Sequence, residues 1–161
     1  MTHSAFLEQF LGKLQTPRVS RSNPEIQHEL VKELNNVSDL VLANSRGPRV
    51  DCVRSLLLLQ AGDFERSHAI VQGMSGSDPA YIHGMIHRVE GDFWNAKYWF
   101  RRSKKHPAFL DTPIDPFRIT DLVEEAKGKT PSPGTIQDLK TEFRTLLDFL
   151  LVAGGESLRP S

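Results

Sequence analysis

Two Gly-Asp-Phe triplets, at 62–64 and 91–93, stand 29 residues apart in the middle of the chain. A fixed offset of this size marks a helical repeat, in which each unit is a helical pair too small to bury its apolar face alone. The first triplet is followed by Ser67, Val71 and Pro79, and the second by Ala96, Phe100 and Pro107. A small residue, a core residue and a closing proline therefore recur in order. The segments around them, "VDCVRSLLLLQ", "FERSHAIVQGM", the stretch from Asp78-Pro79 to Glu90 and "FWNAKYWFRRSKK", are apolar at helical spacing and bounded by Gly or Pro. The turns between them are so short that neighbouring helices must run antiparallel.

The flanks also read as helices. Phe6, Leu7, Phe10, Leu11 and Leu14 share one face, and Pro17 closes that element. "RVSRSN" reads as a polar linker. Asn23-Pro24 reads as the N-cap and first position of a long helix ending at "NSRGP". Its apolar face would be Ile26, Leu30, Leu34, Val37 and Val41, with Glu25 and Glu29 complementing the N-terminal dipole. Residues 107–117 hold three prolines and read as an extended segment lying across the helices, followed by a short helix, "ITDLVEEAK", and a loop, "GKTPSPG". The last helix carries Ile136, Leu139, Phe143, Leu146, Leu147, Leu150 and Leu151 on one stripe. No hairpin signal and little period-2 alternation occur. The expectation is one all-α domain over 1–161: N-terminal helices (1–46), two helical hairpins (48–107), a proline-containing segment with a short helix (108–134) and a C-terminal helix (135–153), the outer elements capping the hairpin array.

At 161 residues the chain can build a real core. Its formal net charge is zero, so no global field directs it to nucleic acid or membrane, and such a partner would need a local patch. The single cysteine, Cys52, cannot form an intramolecular disulfide and has no adjacent base in sequence, which fits a buried thiol in a reducing compartment. The N-terminus lacks the basic start and apolar run of a signal peptide. The longest apolar segment, "LLDFLLVA", is far below the roughly 20 residues of a membrane span. A soluble, cytoplasmic protein is expected.

Residues 48–107 resemble the tetratricopeptide repeat. Its pattern, W-x2-L-G-x2-Y followed by A-x3-F and P, is met in the second unit by Gly84, Ala96, Phe100 and Pro107; Ser55, Ser67, Val71 and Pro79 hold the equivalent places in the first. Ala80 stands in the Trp place, His83 in the Leu place and His87 in the Tyr place. The resemblance implies a protein- or peptide-binding scaffold with a concave groove. Residues 81–107 are also similar to a segment of uncharacterised bacterial and fungal proteins, W-H-G-I-x-H-R-R-E-G-D-Y-x-N-A-K-Y-W-F-R-R, with Ile82 and Val89 as departures. That likeness implies no reaction.

The two histidines draw attention because the repeat wants apolar packing where they stand. On a helix, residues 83 and 87 lie about 40° apart, and Glu90 shares their face. His83, His87 and Glu90 spell H-x3-H-x2-E, a set that suits Zn²⁺ or Fe²⁺ with open positions; His68 and Asp92 are further candidates from the neighbouring hairpin. The residue after His83 is Gly84, so the general base of an H-E-x-x-H protease is missing. The other reading is a pair of satisfied core histidines. Burying an imidazole without a partner costs about 1–3 kcal/mol, so that reading implies a polar network with Arg88, Glu90 or Asp92.

The run from Lys97 to Lys105 holds five Lys or Arg residues and no acid. Lys97, Arg101, Arg102 and Lys105, interleaved with Trp94, Tyr98 and Trp99, suit a phosphate, an acidic peptide or single-stranded nucleic acid. A solvated helix face, neutralised by the acids after residue 110, is the simpler reading. No Gly-rich phosphate loop or nucleophile elbow is present. The expected function is a protein- or peptide-interaction module; the alternatives are a metal- or ligand-binding protein, with or without catalysis, centred on His83 and His87, and a phosphate or nucleic-acid binder using the basic face and Arg88.

Overall fold

A computed structural model describes residues 4–156. These fold as nine α-helices and one 3-10 turn, with no strand among the described residues. In chain order the helices are α1 (Ala5–Lys13), α2 (His28–Asn36), α3 (Asp39–Ala43), α4 (Pro48–Ala61), α5 (Phe64–Gln72), α6 (Ser77–Glu90), α7 (Phe93–Arg102), α8 (Pro116–Glu125) and α9 (Pro133–Glu156), the 3-10 turn being Pro107–Phe109. The chain is all-α, as its patterning requires. No helix among the described residues is long and apolar enough to cross a membrane.

The central period is carried by backbone conformation. α4 and α6 are each 14 residues long and each follows a glycine at positive φ, Gly47 at 113° and Gly76 at 115°. Each ends at a left-handed glycine, Gly62 at φ 111° and Gly91 at φ 82°, a conformation that non-glycine residues rarely adopt. Asp63 and Asp92 then cap α5 and α7, accepting hydrogen bonds from the backbone N–H of Arg66 and Asn95. The Gly47/Gly76 pair extends the 29-residue period beyond the Gly-Asp-Phe triplets.

The two crossings are built differently. Between α4 and α5, Ser55 and Ser67 are fully buried, and each hydroxyl donates to the other's carbonyl at 2.8 Å. Between α6 and α7, Gly84 faces Phe100 and Ala96 is buried. A β-carbon at 84 would lie 2.6 Å from the Phe100 ring, so a glycine is required by close approach. α5 packs on α6, while α9 runs along α4 and touches α8 and the 3-10 turn. Leu139, Phe143, Leu146, Leu147 and Leu150 of α9 are buried in the same apolar cluster as Leu56–Leu59 of α4.

A buried ion pair ties α9 to α6. Glu142 is 0% exposed, and its carboxylate accepts two hydrogen bonds from the Arg88 guanidinium and a third from the Tyr81 hydroxyl at 2.7 Å. Burial works against the Arg88 charge, and the Glu142 carboxylate more than offsets it, holding the guanidinium above its ordinary pKa. Burial and the same carboxylate push the Tyr81 phenol far above its usual range, so it stays a donor. The pair is bidentate, the geometry an arginine fork favours.

The N-terminal region departs from the sequence reading in three places. "RVSRSN" is not a solvated linker: Arg18 and Val19 are buried. The Arg18 guanidinium donates to the carbonyls of Gln60, Ser20, Arg21, Pro24 and Glu25, and its backbone N–H donates to Gln60 Oε1 at 2.9 Å. Burial lowers its pKa to about 10. Asn23-Pro24 is a cis peptide within a turn, and the helix begins at His28. The long element is two helices, because Ser38 caps α3 by accepting from Val41 N–H, and Arg54 donates to the carbonyls of Leu34 and Val37 at the end of α2. Ile26 and Val41 consequently lie on the surface rather than on a shared apolar face.

The crossing at Gly84 generates a test. Gly84→Ala should lower unfolding stability by about 1–3 kcal/mol, the usual penalty for overpacking. Gly12→Ala, where an added β-carbon meets nothing within 4 Å, should be neutral or stabilising by up to ~1 kcal/mol. Urea denaturation of the two variants checks both; equal effects would contradict the close approach.

Candidate functional site

Three histidines meet where α5 and α6 pack. α6 brings His83 and His87 one turn apart, with rings stacked at 5.2 Å and 11° between planes. α5 adds His68, whose ring meets His83 edge-on at 4.7 Å and His87 at 5.9 Å. His68 Nε2 and His83 Nε2 are 3.0 Å apart, one donating and the other accepting according to tautomer. One ligand atom from each ring falls within 4.8 Å of the others. His83 is buried, whereas His68 and His87 are half-buried, so the cluster reaches solvent on one side.

The surroundings orient the rings. The Trp99 indole of α7 lies flat on His83, centroids 3.8 Å apart and planes 4° apart. Glu90 Oε2 is 3.2 Å from His87 Nδ1. That nitrogen is buried and has no aligned hydrogen-bond partner among the described residues. Glu90 is itself held by Arg21 at 3.2 Å, and Arg21 lies over the Phe64 ring. Asp92 is turned away: its carboxylate accepts from Asn95 N–H and Asn95 Nδ2, which holds its pKa below the usual carboxylate value. The structure thus brings His68 into one cluster with His83 and His87, places Glu90 behind His87, and uses Asp92 as a helix cap. Arg88 points to Glu142 on the opposite side of α6. Glu142 was invisible to sequence reasoning, since its partner lies 54 positions away.

Burial, reinforced by His68 and His87, pushes the His83 pKa down from 6.5 to about 4. At neutral pH this ring is uncharged and keeps a lone pair for ligation. The linkage has one sign. The unfolded chain takes up this proton near 6.5 and the folded chain only near 4, so protonation favours unfolding between those values. The melting temperature of the metal-free protein should fall as pH drops from 6.5 towards 4, and His83→Gln should flatten that window. An identical pH slope in the variant would contradict the assignment.

On α7 the basic and aromatic residues form a second surface. Trp94 is 73% exposed and stacks on Tyr98 at 6.3 Å. Arg102 lies over both Tyr98 and Trp99, at 5.6 and 5.4 Å. Lys97 is paired with Asp121 at 2.5 Å. Arg101 and Lys105 are exposed with no carboxylate partner among the described residues. Cys52 is buried, and its thiol pKa is pushed up to about 12 by burial and by Asp78 and Asp51, which rules out a reactive thiolate at neutral pH.

Fold and site together define an all-helical protein with a three-histidine cluster between two helices, backed by a tryptophan and a glutamate. Compared with protein-family models, with curated proteins and with solved structures, the chain matches none.

Proposed function

We propose that the protein binds a divalent transition metal, Zn²⁺ foremost, through His68, His83 and His87. The observation that supports this most is the convergence of three imidazole nitrogens within 4.8 Å from two helices. A tetrahedral zinc with Zn–N near 2.0–2.1 Å sets neighbouring nitrogens about 3.3 Å apart. The His68–His83 pair, at 3.0 Å, is close to that spacing, and the third nitrogen lies within 4.8 Å of both. Glu90 beside His87 Nδ1 leaves Nε2 for the metal, and its Oε2, at 3.2 Å, is within reach of the hydrogen bond by which a carboxylate orients a ligating imidazole once the two are aligned. Three protein ligands leave a fourth position open to water or substrate. Glu90 serves here as an orienting residue rather than the ligand that H-x3-H-x2-E suggested.

Untagged protein titrated with Co²⁺ should develop the intense visible bands of a tetrahedral centre, and Zn²⁺ should bleach them one-for-one. His68→Ala and His87→Ala should abolish the bands, while Glu90→Gln should weaken affinity by about 10–100-fold. Featureless spectra in the wild-type protein would sink the proposal.

A second reading rests on the exposed Trp94, stacked on the half-buried Tyr98, beside Arg101, which has no carboxylate partner among the described residues: a peptide partner of acidic character, bound on α7. An exposed tryptophan beside exposed cations is the composition of a recognition surface. An acidic peptide should quench Trp94 fluorescence saturably, and Trp94→Ala or Arg101→Glu should lower affinity by about tenfold or more. Unchanged affinity in both variants would remove this reading and leave the metal site untouched.

A further inference from the structure

We infer that the cavity beneath residues 107–117 binds a small organic anion with an apolar body, of the kind a medium-chain carboxylate represents. The cavity measures about 460 Å³, within the range of small-ligand sites. It lies on the far side of α6 from the histidines and does not depend on them. Its walls are apolar: the Tyr81 ring, Phe109, Pro113, Ile114 and Phe117. Leu110, 60% exposed, stands at its edge, where an apolar ligand would cover it.

The chemistry of the ligand follows from which polar side chains in the lining are already committed. The Tyr81 hydroxyl donates to Glu142. His106 is used at both nitrogens: Nδ1 accepts from Ala108 N–H at 3.1 Å and Nε2 faces Asp78 at 2.6 Å. Thr112 Oγ1 donates to the Phe109 carbonyl and accepts from Ile114 N–H. Asp115 caps α8, its Oδ1 accepting from the N–H groups of Phe117 and Arg118, which leaves Oδ2 open. What remains is Lys104 and Lys105, two adjacent ammonium groups without a carboxylate partner among the described residues. Lys104 holds φ at 53°, the left-handed region a lysine seldom adopts, and this turns the chain sharply as α7 ends, with both lysines on the lining. A chamber with apolar walls that sets two uncommitted ammonium groups against one carboxylate half-engaged as a helix cap carries net positive charge and favours an anion attached to an apolar body. A cation would meet two ammonium groups for the one open oxygen of Asp115, and a bare inorganic anion leaves the walls wet.

Calorimetric titration of the full chain with octanoate should show saturable one-to-one binding. Neutral 1-octanol should bind about tenfold more weakly or worse, and inorganic phosphate should give no saturable signal. Lys104→Gln/Lys105→Gln should reduce octanoate affinity by about tenfold or more without changing octanol affinity or the melting temperature. Lys140→Gln, on α9 and outside this cavity, should leave octanoate affinity unchanged, and Ile114→Glu should abolish binding of both alkyl ligands. Absence of octanoate binding, octanol binding as tightly as octanoate, or full affinity in the lysine double variant would each overturn the inference.

Discussion

The buried Arg88–Glu142 pair is the constraint around which the helices are set. Removing two charges from water is expensive, and the expense is offset only in one geometry, with the fork of Arg88 and the hydroxyl of Tyr81 both on one carboxylate. Apolar stripes tolerate sliding, but this contact does not. It therefore fixes the register of α9 on α6, and since α9 also lines α4 and α8, it fixes their spacing as well. Arg88 carries a second role, lying 5.4 Å over the Phe100 ring that fills the space opposite Gly84.

The same constraint fixes the rotation of α6 about its axis. Tyr81 and Arg88, seven residues apart, face α9; Gly84 faces α7; His83 and His87 face α5. One 14-residue helix thus presents a charged anchor, a close crossing and a cluster of imidazoles to three different neighbours. This explains why buried residues surround nearly the whole of α6. The histidines can replace the apolar packing expected of them because they find each other, His68 and the Trp99 ring rather than bare hydrocarbon.

What the sequence made legible was local. The Gly-Asp-Phe triplets, the glycine at 84 and the small residue at 96 act through near neighbours, and the helices of the middle region follow from them. Arg18 with Gln60 and Arg88 with Glu142 are separated by 42 and 54 positions, and no spacing rule connects them. Arg18 looked like a linker residue because a lone arginine carries no sign that five carbonyls await it. Asn23-Pro24 had the composition of a helix start, but the chain there turns to deliver those carbonyls instead. In the histidine cluster, the i,i+4 pair was readable and His68 was a candidate, while whether His68 met that pair depended on how α5 lies against α6.

The serine pair of the first crossing and the glycine–phenylalanine contact of the second have a consequence for pairing during folding. The two units share backbone turns at the same offset, so a helix of one could in principle seek the wrong partner from the other. α4 set against α7 would press the Ser55 hydroxyl onto the Phe100 ring and strand it without an acceptor, and α6 taking the place of α4 in the crossing with α5 would leave Gly84 facing Ser67 across a void. The crossings therefore act as unlike keys cut on identical blanks, so that repetition in the backbone does not become ambiguity in the fold.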